Sequence, residues 1–224
     1  MSTASISSSV QRESVLLGQT VVVIGGSAGI GFETARRARA EGAKVILTAR
    51  NPERLKHAGS EIDASSTASF DTTDPIALQR FFGDLPVIDH VMVTAGRPYY
   101  GRLVDMDFTK VRDLIGEHLS QALCVARNAM NKVRPEGTLI FMGGTGARRP
   151  AIGLSIASAV TAAFPALTAS LAIEIAPIRV NLIAAGFVDT PLSAEPQPTT
   201  LTADSSSSPP SSRRQYRQFK GAQN

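Results

Sequence analysis

The chain has a single cysteine, Cys124, among 224 residues, which excludes an internal disulfide and any metal site built from several cysteines. No metal site is expected. Cys124 stands in an apolar stretch with helical spacing, where a thiol packs as a small, inert hydrophobe. No apolar run reaches the length that spans a bilayer. The Ser-rich N-terminus has no apolar core, so it does not read as a secretory leader. Aromatic residues are only 5% of the chain, and none falls in an RNA-binding signature. The net charge is +4 and the pI about 9.6. Much of that excess lies in Arg213, Arg214, Arg217 and Lys220 near the C-terminus, so it argues poorly for nucleic acid. The expectation is a soluble cytoplasmic protein with a small-molecule partner and with neither nucleic acid nor membrane. His57 and His90 have no partner pattern and receive no role.

What the chain does have is a strand, a turn and a helix that fit a dinucleotide. Val21-Val22-Val23-Ile24 is an apolar run suited to a strand covered on both faces. Gly25 and Gly26 break it, residues 32–41 suit a helix, and Gly42 stops that helix. Glycines at Gly25, Gly29 and Gly31 let backbone approach backbone, and they let a pyrophosphate sit on free N–H groups at Ile30 and its neighbours. The spacing is Gly-x-x-x-Gly-x-Gly. The strand before it, the helix after it and a second strand at residues 44–49 favour the dinucleotide reading over an ordinary tight turn. The second strand ends at Arg50, where an acid would grip the ribose hydroxyls of NAD. A guanidinium there can pair with the 2′-phosphate of NADP, and Ser27 can add a hydroxyl. The other reading of Arg50 is a solvated surface charge. NADP is the expected cofactor, with NAD as the alternative.

Strand and helix patterns then alternate, which argues for a parallel sheet with right-handed crossovers. Helices are predicted at 52–60, 74–82, 108–132 and 156–176, and strands at 68–70, 88–94, 138–142 and 179–184. Pro165 is predicted to kink or break the last helix. Residues 1–16 and 193–224 are expected to be disordered, the latter a low-complexity stretch rich in serine and proline. The domain between them, 17–192, is the expected dinucleotide-binding unit.

These residues resemble the short-chain dehydrogenase/reductase family over roughly residues 17–192. The glycine turn is similar to that family's cofactor loop. Asp71 with Thr72, after the third strand, resembles its adenine-contacting acid. Thr94-Ala95-Gly96 resembles its Asn-Asn-Ala-Gly segment, with Val93 and Thr94 in place of the two asparagines. Ala185-Gly186 with Thr190 resembles the Pro-Gly…Thr segment that meets the nicotinamide amide. The resemblance implies an α/β, Rossmann-type doubly wound parallel sheet of about six strands in the order 3-2-1-4-5-6. The family's C-terminal strand is missing here. It also implies an oxidoreductase, and it is compatible with a homo-oligomer although the family's usual C-terminal interface segment is absent. The polar tail in its place reads as a splice product, a frameshift or an error of the gene model.

The catalytic positions depart from the family. A Ser after the fifth strand and a Tyr-x-x-x-Lys on the next helix are replaced by Gly144, Ala157 and Thr161, and the Asn of the long helix falls near His118. None of these can perform the phenol–ammonium proton transfer. His118 is either a group facing the nicotinamide or a helix histidine bonded to backbone. Tyr99 and Tyr100 follow the Thr94-Ala95-Gly96 turn and either reach substrate or line the pocket rim. Arg148 and Arg149 either hold an anion or are solvated. Ser155 and Ser158 flank the lost tyrosine, but a hydroxyl is too weak an acid to replace a phenol.

Three functions are open. One is an NADP(H)-dependent reductase acting on an electrophile that arrives already activated, for example an iminium. That logic is shared with superfamily reductases lacking the Tyr–Lys pair, including reductase/cyclases of indole alkaloid pathways. Pro177-Ile178-Arg179-Val180-Asn181 looks similar to theirs, while the position of an acidic residue important in those cyclases holds Ala151. The second is a non-catalytic nucleotide-binding pseudoenzyme, and the third a truncated product of a full-length reductase.

Overall fold

The computed structural model describes residues 15–148 and 151–193. The tail beyond Ser193, Arg149, and all but Val15 and Leu16 of the N-terminal segment lie outside the described residues. Six parallel strands form one sheet in the order β3-β2-β1-β4-β5-β6. They are β1 (Thr20–Ile24), β2 (Lys44–Ala49), β3 (Ser66–Ser69), β4 (Ile88–Val93), β5 (Val133–Gly144) and β6 (Arg179–Ala185). The helices between them are α1 (Gly29–Ala40), α2 (Pro52–Glu61), α3 (Pro75–Asp84), α4 (Phe108–Ala129) and α5 (Ser155–Glu174). This is the strand order the sequence leads one to expect.

Alternation along the central strands sorts the core into two layers. Val21, Val23, Val45 and Leu47 pack against Ala35 and Ala38 of α1 and Leu55 and Ala58 of α2. Val22, Ile24, Val91 and Phe141 pack against α3, α4 and α5 through Phe82, Val125 and Phe164. Successive side chains of a strand point to opposite faces, so β1, apolar from Val21 to Ile24, is buried on both. The register carries the first face onward through Met92, Ile140 and Met142 to Asn181 and Ile183. Among the described residues no helix covers that face over β5 and β6, and Ile183 is exposed. Among the described residues β6 is also a sheet edge, paired with β5 alone.

Three local expectations are corrected. α1 begins at Gly29, not at residue 32, because the last two glycines of the turn are themselves its first residues. α5 runs unbroken through Pro165. That proline is exposed, and the Thr168 hydroxyl sits on the Phe164 and Pro165 carbonyls at 2.8 and 3.1 Å in the same turn. α5 is also long and apolar enough, with a mean hydropathy of 1.8, to meet the length and composition of a membrane span. Here its apolar side chains Phe164 and Leu171 lie in the core beneath the sheet.

One titratable group is built into the sheet away from its carboxyl end. His90 of β4 is half-buried, and its Nε2–H donates to Gln19 Oε1 at 2.6 Å. Burial pushes its pKa down; Asp89 opposes this and the Arg134 and Arg179 charges reinforce it. The folded state therefore favours neutral His90. Its contribution is complete above the unfolded pKa of about 6.5 and is lost as pH falls through the lower folded value. The melting temperature is expected to be flat near neutrality and to fall as pH drops below about 6.5, and His90→Gln should flatten that decline. Thermal melts at a series of pH values check this, and an unchanged slope in the variant counts against it.

Candidate functional site

The glycine turn is shaped by close approach to two neighbouring strands. Gly25 N–H and Gly26 N–H both donate to the Thr48 carbonyl at 3.0 Å, which ties the turn to β2. Gly25 has φ +92°, and a Cβ there would lie 2.6 Å from the Ala95 amide nitrogen. Glycine alone meets both demands. A Cβ on Gly31 would collide with the Gly25 carbonyl oxygen and with Thr94 Oγ1. The Thr94 hydroxyl donates to the Ile24 and Gly25 carbonyls, 3.1 Å from each. The end of β4 thus braces the turn, a role the sequence did not reveal.

This packing brings the start of α1 to the carboxyl end of the sheet. Asn51, Asp74 and Asp107 cap α2, α3 and α4 by accepting first-turn N–H groups, but the N-cap of α1 is Ala28. The first turn of α1 holds no acid either. Free N–H groups, the positive end of the helix dipole and side-chain-free backbone at Gly25, Gly29 and Gly31 fit a dinucleotide pyrophosphate. Ser27 and Ile30 stand at the same end, half-buried. Thr190 reaches them from beyond β6: a Cβ on Gly29, whose φ is +56°, would lie 3.4 Å from its methyl. Its own turn is fixed by Thr190 N–H donating to Ser193 Oγ at 2.9 Å and by the Ser193 hydroxyl donating back to the Thr190 carbonyl at 2.8 Å.

Arg50 and Asp71 lie beyond the ends of β2 and β3. Asp71 accepts the Thr73 N–H and the Thr73 hydroxyl, each at 2.9 Å. The Thr73 N–H lowers its pKa, aided by the Thr73 hydroxyl and the Arg50 charge and opposed by partial burial. Arg50 is exposed. Arg36 and Arg37 of α1 are both held by Glu33, at 2.6 and 2.9 Å, and those bonds bring its carboxyl down to about 2. Thr72 is buried, and its hydroxyl accepts from the Gln121 side chain, which leaves its backbone for a ligand. Gln121 was missed in the sequence; its signal is a polar residue in the buried stripe of α4.

At the end of β4, Ala95 N–H donates to the Ile24 carbonyl at 3.0 Å. Gly96 follows at φ +141°, and a Cβ there would lie 3.5 Å from His118 Nε2. His118 Nδ1 is 2.9 Å from the Leu114 carbonyl. A carbonyl only accepts, so Nδ1 carries the hydrogen and, in the neutral ring, Nε2 presents its lone pair beside Gly96. His118 is thus a helix histidine bonded to backbone, and its other nitrogen stands beside Gly96.

Gly144, Ala157 and Thr161, read from the sequence as standing at the family's Ser, Tyr and Lys positions, come together. Ala147 N–H donates to Thr161 Oγ1 at 3.2 Å, and the Thr161 hydroxyl donates to the Ala157 carbonyl at 2.8 Å. The Ser158 hydroxyl donates to the Gly146 carbonyl at 3.0 Å. A Cβ on Gly144 would lie 3.3 Å from the Thr161 methyl, and Ala157 is buried. Two hydroxyls on α5 thus clamp the loop after β5 onto the helix. Tyr99 lies against Gly101, whose N–H donates to the Gly153 carbonyl at 2.9 Å and so joins the loops after β4 and β5. Tyr100 is half-buried, and burial pushes its phenol up, making it a weaker acid. Arg148 is exposed.

Because Gly31 meets the turn on its crowded side, Gly31→Ala is expected to destabilise the fold by about 1–3 kcal/mol and to weaken dinucleotide binding. Urea unfolding and a cofactor titration measure both. Unchanged stability would mean that the turn has slack the distances deny.

Comparison with known proteins agrees with this geometry. Residues 19–200 match the short chain dehydrogenase family. A short-chain dehydrogenase/reductase of Stachybotrys chlorohalonatus is 29% identical over 188 residues, covering 75% of this chain and 73% of its own. One from an Acremonium species is 30% identical over 193 residues, covering 76% and 72%. A dehydrogenase/reductase of Sinorhizobium meliloti superposes with a TM-score of 0.75 at 29% identity, over 80% of this chain and 76% of that one. A short chain dehydrogenase of Burkholderia cenocepacia in complex with NADP gives 0.74 at 26% identity, over 79% and 77%. The chain belongs to the short chain dehydrogenase family.

Proposed function

We propose that this protein is an NADP(H)-dependent oxidoreductase that reduces a pre-activated small-molecule electrophile, such as an iminium, and does not interconvert alcohols and ketones. One observation carries this reading. The glycine turn offers a backbone cradle, while Ala157 and Thr161, at the positions of the family's acid and its activating cation, bring no acidic group, and the hydroxyls of Thr161 and neighbouring Ser158 are spent on Ala157 and Gly146. NADP(H) is favoured by Arg50 at the end of β2 and by the NADP complex of the Burkholderia relative.

A ketone needs a proton donor as its oxygen gains charge. Each hydroxyl of the clamp is already donating to a carbonyl, and Tyr100 is shifted away from acidity. An iminium removes that need. Bound NADPH supplies a hydride. The iminium carbon accepts it, the C=N π pair moves onto nitrogen and cancels its positive charge, and no proton is consumed. His118 Nε2 accepts the iminium N–H and orients the substrate, with Tyr99 and Tyr100 lining the pocket. The cofactor would be held by the backbone of Gly25, Gly29, Ile30 and Gly31, by Ser27 and Arg50, by Asp71 and the Thr72 backbone, and by Ala95, Gly96 and Thr190.

Oxidation of NADPH by cyclic iminium ions and by matched ketones tests the reading. Iminium turnover is expected, with ketone rates lower by at least about 10²-fold, and His118→Ala should raise KM for the iminium. Robust ketone reduction that survives removal of His118, Tyr99 and Tyr100 in turn would overturn it. The clamp favours a second reading, a nucleotide-binding protein without turnover. Tight NADPH binding with no reduction across the panel selects that one.

NADPH is expected to bind about 10- to 100-fold more tightly than NADH, the effect of one charge-assisted pair of 1–3 kcal/mol. Arg50→Asp should abolish the preference. Dissociation constants for both cofactors check this, and equal affinities in the native chain would remove Arg50 from the site.

A further inference from the structure

We propose that the substrate of this site has a bulky apolar body, carried by an apolar rim at the mouth formed by the loops after β4, β5 and β6. This rests on the hydride-transfer reading above. Large apolar side chains stand in solvent on all three loops: Leu103 at 70% exposure and Val104 at 80% after β4, Ile152 at 66% after β5, and Phe187 at 86% after β6. Single exposed apolar side chains are ordinary, but a grouping of them marks a binding surface. In an open α/β sheet, ligands bind outside the carboxyl ends of the strands, and those ends are where all three loops begin.

The geometry points to a small molecule as the occupant. The first two loops are joined where Gly101 N–H meets the Gly153 carbonyl at 2.9 Å. Gly153 has φ +83°, and a Cβ there would touch the Gly101 backbone at 3.6 Å, so the loops cross in contact as one wall. Tyr99 and Tyr100 are half-buried in that wall, next to the Gly96 turn that His118 meets. The third loop returns to the glycine turn through Thr190. The rim therefore stands at the same end of the sheet as the glycine turn and His118. A ligand whose cationic end meets His118 and whose body extends outward covers Leu103, Val104 and Ile152. A small polar electrophile covers none of them.

Saturated amines resemble the product and do not react, so they report on the rim without turnover. Binding of n-butylamine and n-octylamine to the protein loaded with NADPH, which has no C=N bond of theirs to reduce, is measured by calorimetry. Each methylene that becomes fully buried tightens binding by about fourfold, so octylamine should bind at least about tenfold more tightly. Val104→Ser and Ile152→Ser should each weaken octylamine and leave butylamine and NADPH affinities unchanged. Equal affinity for the two amines, or octylamine binding indifferent to both substitutions, would overturn the proposal. So would co-sedimentation with phosphatidylcholine vesicles or self-association that Val104→Ser abolishes without touching amine affinity, since either assigns the rim to another occupant. Chain-length dependence without iminium turnover would refute the proposed reaction but leave the rim; iminium turnover without chain-length dependence would do the reverse.

Discussion

The arrangement of the site depends on one close approach, between the glycine turn after β1 and the end of β4. Thr94 places one hydroxyl on two carbonyls of the neighbouring strand end, Ile24 and Gly25, and fits against Gly31 where a side chain has no room. The contact draws the start of α1 down onto the sheet. Interiors are close-packed, so a single added methyl at such a point is felt by both strands. With the turn in place, Ala95 and Gly96 lie beside it, His118 lies beside Gly96, and Thr190 closes on Gly29. The cofactor half of the site is thus largely backbone geometry enforced by packing.

At the other half, two hydroxyls of α5 fasten the loop after β5: Thr161 accepts the Ala147 N–H and Ser158 donates to the Gly146 carbonyl. Buried polar groups that are bonded cost little, and those left unpaired cost about 1–3 kcal/mol each, so the fastened loop is a well-satisfied state.

The sheet is unevenly covered. α3, α4 and α5 pack one face, while α1 and α2 protect the other over β1–β3. Ile140, Met142 and Ile183 continue the apolar rows of the second face past the last described helix. Among the described residues β6 and β3 are the two edges of the sheet, and β6 is the better paired, with seven register positions on β5 against four between β2 and β3.

By itself the sequence determined the alternation of strands and helices and the glycine turn, and its family resemblance carried the strand order. The alternation and the turn are local matters: apolar period and glycine spacing. The breaks at Gly25, Gly29 and Gly31 were legible because backbone freedom is a property of single residues. Only the tertiary structure decided the rest. It made Thr94 a brace, paired Thr72 with Gln121, turned Ser158 and Thr161 into a clamp, and crossed the loops at Gly101 and Gly153. Each of these joins residues far apart in the chain through a hydrogen bond or a close contact, and no periodicity or spacing records which distant group a hydroxyl or an amide will meet. The course of α5 through Pro165 was decided in the same way, because a helix end read from a proline gives way when the helix is held against a sheet by Phe164 and Leu171.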